Sequence, residues 1–105
     1  MSQLVIHGNT AYLAGQVAND TTADVKGQTA DVLAKIETLL AEAGSNKDSI
    51  LSATIILKDM DHFADMNTVW DAWVADHGKP ARAAIEARMA TDAILVEICI
   101  IAAVN

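Results

Sequence analysis

The sequence predicts a single α+β domain in which two amphipathic helices cover one face of a four- or five-stranded sheet. Two stretches carry apolar residues at helical spacing, and the remaining apolar runs alternate or run continuously as strands do. The 105 residues also contain one proline, Pro80, and no Gly/Ser/Pro-rich linker, internal repeat or low-complexity tract that would divide them.

Leu4-Val5-Ile6 and Ala11-Tyr12-Leu13 flank His7-Gly8-Asn9-Thr10, a turn signal between short apolar runs, and predict a β-hairpin. The capping-type cluster Asn19-Asp20-Thr21-Thr22 then opens a helix. Its apolar positions Val25, Val32, Leu33, Ile36, Leu39, Leu40 and Ala43 form one stripe, and Gly44 stops it. The other face, with Asp24, Gln28, Asp31, Lys35 and Glu42, reads as solvated, and Asp31 and Lys35 are spaced to pair. Residues 50–58 alternate Leu51, Ala53, Ile55 and Leu57 with Ser52, Thr54 and Lys58, the period of a strand. Asp59 and Asp61 are candidate N-caps of a second helix with the buried stripe Phe63, Met66, Trp70, Trp73 and Val74, ended by Gly78 and Pro80. Residues 81–89 and 94–104 predict two more strands, joined as a hairpin through Ala90-Thr91-Asp92-Ala93.

Seven Lys and Arg stand against fourteen Asp and Glu, a formal charge of −7, and the cations do not cluster. Nucleic acid is a poor partner for such a chain, because phosphate must be met by grouped Lys and Arg. The lone Cys99 excludes a disulfide scaffold and suits a reducing compartment, so a cytoplasmic protein is expected. No signal-peptide pattern opens the chain, and its most apolar run, interrupted by Glu97, is too short for a bilayer.

The last strand is apolar on both faces: Ile94, Val96, Ile98 and Ile100 alternate with Leu95, Cys99, Ile101 and Ala103. Two helices cover only one face, so the other is expected to pack against further copies of the chain. Within residues 81–89, alternation places Arg82, Ala84, Glu86 and Arg88 on one face. Glu97 is the only charge in the apolar strand that follows. An unpaired buried carboxylate costs several kcal/mol or more, so it should meet a cation, meet water or take up a proton. In a hairpin with an even loop, Arg82 and Glu97 point from the same uncovered face. There they form either an interfacial salt bridge or a polar pocket with a fork for a carboxylate and an acceptor for water.

Other groups read as structural. His7, His62 and His77 lack the paired spacing of a zinc site, and Asp59, Asp61 and Asp65 lack the Gly and closing Glu of a calcium loop. Cys99 reads as a buried thiol, and Met60, Met66, Trp70 and Trp73 as core.

Gly8-Asn9, Ala14-Gly15-Gln16, Phe63-Ala64-Asp65-Met66-Asn67, Pro80-Ala81-Arg82 and Val96-Glu97-Ile98 occur in the order and spacing of one family. In these residues, over nearly its whole length, the chain resembles the RidA/YjgF family of reactive intermediate deaminases, most of all a shorter, divergent branch of it. The resemblance implies a chorismate-mutase-like fold with a mixed sheet, assembled as a homotrimer around a central barrel, with clefts between subunits. It implies hydrolysis of enamines and imines such as 2-aminoacrylate and 2-iminopropanoate to 2-keto acids and ammonia, without a cofactor or metal. Arg82 would then pair with the substrate carboxylate and Glu97 would hold the attacking water. Asn67, the main chain at Ala84, and Ala14 and Gly15 would shape the cleft. Better-studied members carry an N-terminal Gly-Pro-Tyr element that closes the cleft, whereas this sequence begins Met1-Ser2-Gln3-Leu4, so the resemblance implies either a truncated start or a more open site. Where they have a cysteine after the arginine, this chain has Ala84, a change that leaves a backbone carbonyl in place. On the same scaffold, a module that binds small carboxylates without turning them over is the alternative expectation. An RNA-cleaving activity ascribed to relatives fits poorly with the charge.

Overall fold

A computed structural model describes residues 1–104. The chain runs β1 (Leu4–His7), β2 (Thr10–Leu13), β3 (Gln16–Val17), α1 (Val25–Glu42), β4 (Ile50–Leu57), α2 (Phe63–Trp73), β5 (Ala81–Glu86) and β6 (Val96–Ala103), with short 3-10 turns before β4 and α2. The six strands form one mixed sheet in the order β1-β2-β6-β4-β5, and β3 also pairs with β6.

The expected first hairpin is present. His7 pairs with Thr10 around Gly8, whose φ of 59° lies in the left-handed region where a Cβ would be strained. Helix α1 begins later than the cluster at residues 19–22, because its cap is Asp24, whose carboxylate accepts from the Gly27 N–H at 2.9 Å. Asp20 instead accepts from the N–H and hydroxyl of Thr22. At the far end Ser45 donates to the Leu40 carbonyl and Gly44 to that of Ala41, a paired closure that needs the left-handed φ of 75° at Gly44.

Three residues placed on the solvated face of α1 make specific bonds instead. Gln28 is fully buried. Its Nε2 donates to the carbonyls of Ala23 and Ala93, and its Oε1 accepts from Leu95 N, so the side chain ties the segment before β6 to α1. Asp31 and Lys35 do not pair with each other, because each has found the β3 loop. Asp31 accepts from the N–H of Asn19 at 2.6 Å, and Lys35 donates to the Val17 carbonyl at 2.8 Å.

The expected hairpin between the last two strands does not form. β4 lies between β5 and β6, parallel to the first and antiparallel to the second. The helix α2 supplies the crossover that a parallel β4–β5 pair requires, and β6 is then left the other edge of β4. The last two strands are both shorter than expected: β5 ends at Glu86 and β6 starts at Val96.

Register divides the residues between two faces. On the helix side, Ala53, Ile55 and Leu57 of β4 join Val96, Ile98, Ile100 and Ala102 of β6, all buried against Val32, Leu33, Ile36, Leu40, Met66 and Trp70. The other face has no layer over it within the chain. It carries Val5, Tyr12, Ile85 and Ile101, each between 37% and 52% exposed. Met60, expected in the core, is instead 40% exposed in the turn before α2, and Phe63 and Trp73 are only partly buried.

Candidate active site in two halves

Arg82 lies on β5, at the open edge of the sheet, and its side chain turns to the helix face. Its Nη1 donates to Asn67 Oδ1 at 2.7 Å. The guanidinium carbon sits 5.8 Å from the centroid of the Phe63 ring and 5.5 Å from that of Trp70. Phe63, Asn67 and Trp70 recur along one side of α2, the spacing that brings helical residues together. Among the described residues no carboxylate pairs with Arg82.

Ala84 follows on the same face, partly buried. The Ala87 N–H bonds to the Leu57 carbonyl at 3.0 Å, which fixes how the backbone of β5 alternates. Its odd-numbered residues turn their backbone groups toward β4, so the N–H and C=O of Arg82, Ala84 and Glu86 face the free edge.

Glu97 belongs to the opposite face. It stands across from Val17 on one side and Ile56 on the other, partly buried, and its side chain forms no ion pair or hydrogen bond among the described residues. Its carboxylate lies directly over Gly15: a Cβ there would fall on Glu97 Oε2 and 2.9 Å from its Cδ. Ala14 and Gly15 form the step at which the chain passes from β2 to β3 along β6. Ala14 N donates to the Gln3 carbonyl at 2.9 Å, while the buried Gln16 donates from Nε2 to the Ala14 carbonyl at 2.8 Å. Gln16 stands across from Ile98 on the helix face, opposite Glu97, and so braces this step from the core side.

Cys99 is the next residue on the Glu97 face and is half-buried rather than enclosed. Burial, and after it the Glu97 charge, push its thiol above the usual range, which keeps it protonated and a poor nucleophile.

Arg82 and Glu97 are therefore not brought together by one chain, contrary to the expectation from a hairpin. Arg82 is level with Ala53 and Ile100, whereas Glu97 is level with Ile56. The two stand on opposite faces, two strands apart and about 10 Å apart along the strand direction. Neither residue lines the surface hollows of about 270 to 400 Å³ beside α1 or at the end of β5.

The remaining candidates resolve as local structure. Asp59 accepts from Asp61 N at 2.8 Å and so caps the 3-10 turn, while α2 starts behind His62 without a side-chain cap. His77 Nδ1 is 3.1 Å from Asp48 Oδ1, which also accepts from Gly78 N at 2.9 Å. The Gly78 N–H first, and His77 after it, hold the Asp48 carboxyl below the usual carboxylate range. No group of three or more His, Cys, Asp or Glu is placed to hold a metal ion among the described residues, and no helix is long and apolar enough to cross a membrane.

A six-stranded mixed sheet with two helices on one face, an arginine at its edge and a glutamate on its bare side define a recognisable class of small α+β proteins. Residues 1–104 match the family model described as Endoribonuclease L-PSP. The chain is 48% identical over 103 residues to the RutC family protein YoaB of Escherichia coli K12, covering 98% of this chain and 90% of that one. Among solved structures, a YjgF family member from Neisseria meningitidis superposes with a TM-score of 0.96 at 46% identity, over 100% of this chain and 87% of that one. The YjgF gene product of E. coli gives 0.91 at 27% identity, over 100% and 88%. The chain belongs to the YjgF/RidA family.

Proposed function

We propose that the protein is a cofactor-independent deaminase that hydrolyses small enamine and imine carboxylates, of the 2-aminoacrylate and 2-iminopropanoate type, to 2-keto acids and ammonia. We also propose that it works as a homotrimer whose sheets face a central barrel, with each site shared between neighbouring copies in the cytoplasm. The observation that carries this reading is the separation of two chemically complementary, unsatisfied groups. Among the described residues, Arg82 offers a guanidinium with no carboxylate partner at one edge of the chain, and Glu97 a carboxylate with no cation on the bare apolar face. Packing of that face against another copy would bury its apolar side chains and bring the arginine of one chain to the glutamate of the next.

In such a cleft Arg82 binds the substrate carboxylate through paired N–H donors, fixing the imine carbon in place. The free N–H and C=O of Ala84, with Asn67, Ala14 and Gly15, shape the walls. Water held by Glu97 adds to the electrophilic carbon while its proton passes to the carboxylate. Glu97 then returns that proton to nitrogen and takes up the proton of the new hydroxyl as the C=O forms and the C–N bond breaks. The protonated imine and water thus give a 2-keto acid and ammonia, and the proton left on Glu97 is released to solvent. The chemistry asks for one cation, one carboxylate and exclusion of bulk water, all of which this chain's residues can supply.

The test is release of ammonia and pyruvate from 2-iminopropanoate generated in situ by an amino-acid oxidase. Wild type accelerates it, and Arg82→Ala loses about 100-fold or more in kcat/KM while staying folded. No acceleration by folded wild type that still binds pyruvate would point instead to a binding module for small carboxylates. The fourteen acidic residues against seven basic ones argue against RNA as the substrate.

A further inference from the structure

We infer that Phe63, Asn67 and Trp70 form an uncharged clamp that positions Arg82 while leaving its positive charge undivided for a carboxylate ligand. The inference rests on the reading of Arg82 as the carboxylate-binding group and assigns the residues that make it one. A guanidinium presents two flat faces and five N–H donors. Here the Phe63 and Trp70 rings lie within 5.8 Å of its carbon and a single N–H is spent on the Asn67 amide. Aromatic faces attract the cation and immobilise it without neutralising it.

Like Arg82, Lys35, Lys79 and Arg88 have no counter-charge among the described residues, but of these four Arg82 alone is held between two rings and an amide. Acidic residues outnumber basic ones fourteen to seven, so a carboxylate is the commonest partner at hand. Lys26, Lys47, Lys58 and His77 each have one within 4.0 Å. Arg82, among the described residues, has an amide instead. An arginine that only pinned β5 to α2 would do so better with an aspartate at position 67, which would make a charge-assisted bond. Asparagine holds the same geometry and leaves the charge for a ligand.

Asn67→Asp separates the two roles, because they predict opposite signs. Pyruvate is the probe, titrated by calorimetry, alongside imine turnover and the thermal midpoint. The clamp predicts that Asn67→Asp raises the pyruvate Kd and the imine KM about tenfold or more, with kcat changed far less, and leaves the thermal midpoint equal or higher. Phe63→Leu, at a partly buried position, raises both constants severalfold and speeds rotation about the Arg82 Cζ–Nε bond seen by side-chain NMR. Trp70→Phe, which keeps a smaller and weaker ring over the guanidinium, raises both constants by less than Phe63→Leu does.

Unchanged Kd and KM in Asn67→Asp, or a wild type that does not bind pyruvate, overturns the clamp. Turnover that survives every clamp substitution leaves the deaminase standing without it. Pyruvate binding that depends on the clamp, with no imine turnover, keeps the clamp and removes the deaminase.

Discussion

The two faces of the sheet are built from alternate residues of the same strands, yet they have opposite fates. On β6, Val96, Ile98, Ile100 and Ala102 are buried beneath α1 and α2, while Glu97, Cys99 and Ile101 between them look out onto a face the chain leaves bare. The same contrast separates the half-sites. Arg82 is gripped by three side chains of α2, whereas the Glu97 carboxylate rests on the backbone of Gly15 with no bond among the described residues. Under the proposed function this bare face, with its lone carboxylate among apolar side chains, is where a second copy of the chain would pack.

The contrast can be broken most forcefully in the core. Ile98→Ala, on the closed face, should cost about 3 to 4 kcal/mol of stability, through lost transfer energy and the cavity left behind. Ile101→Lys, three residues on and facing out, should leave the chain's own fold nearly untouched but lower the sedimentation mass of the assembly. Denaturant unfolding beside analytical ultracentrifugation distinguishes the two, and equal losses of stability would erase the distinction between the faces.

A finer probe acts on the Glu97 half alone. Gly15→Ala places a methyl group where the Glu97 carboxylate lies. The obstacle is the far end of a flexible side chain, so stability should fall by under about 1 kcal/mol as Glu97 swings aside. Turnover should fall about tenfold or more, because the carboxylate is displaced from its working position.

The smallest effect lies away from both halves, where Asp48 ties the segment after α2 to the turn before β4. Its carboxyl is held below 3.8 in the folded chain by Gly78 N–H and His77, so its contribution to stability is full above that value and is lost as pH falls through the lowered one. Asp48→Asn should therefore lower the thermal midpoint slightly at neutral pH, and the difference should vanish in strong acid. Because Asp48 is exposed, solvent screens the effect, and imine turnover should not respond.

What could be read from the sequence follows the same division. Periodicity within an element is local, so the hairpin, the stripe of α1 and the two apolar faces of β6 were legible. Arg82 and Glu97 also stood out singly, one beside a small alanine and the other as a charge in an apolar run. Their relative placement was not legible, because alternation says which residues of one strand share a face and nothing about which strands are neighbours. Inserting β4 between β5 and β6 moved the two groups to opposite faces. Gln28 was misread for a related reason: its partners, Ala93 and Leu95, lie far along the chain and become visible only once it is folded. β3, two residues long, has no period to detect.

The most direct test of a shared site is complementation between two inactive variants. Arg82→Ala and Glu97→Gln, each without imine turnover alone, would be unfolded together in equal amounts, refolded and assayed. If each site takes its arginine from one copy and its glutamate from the next, random assembly leaves one site in four with both groups, and activity returns to roughly a quarter of wild type. A mixture as inactive as its components, in assemblies shown by mass to contain both variants, would contradict the shared site.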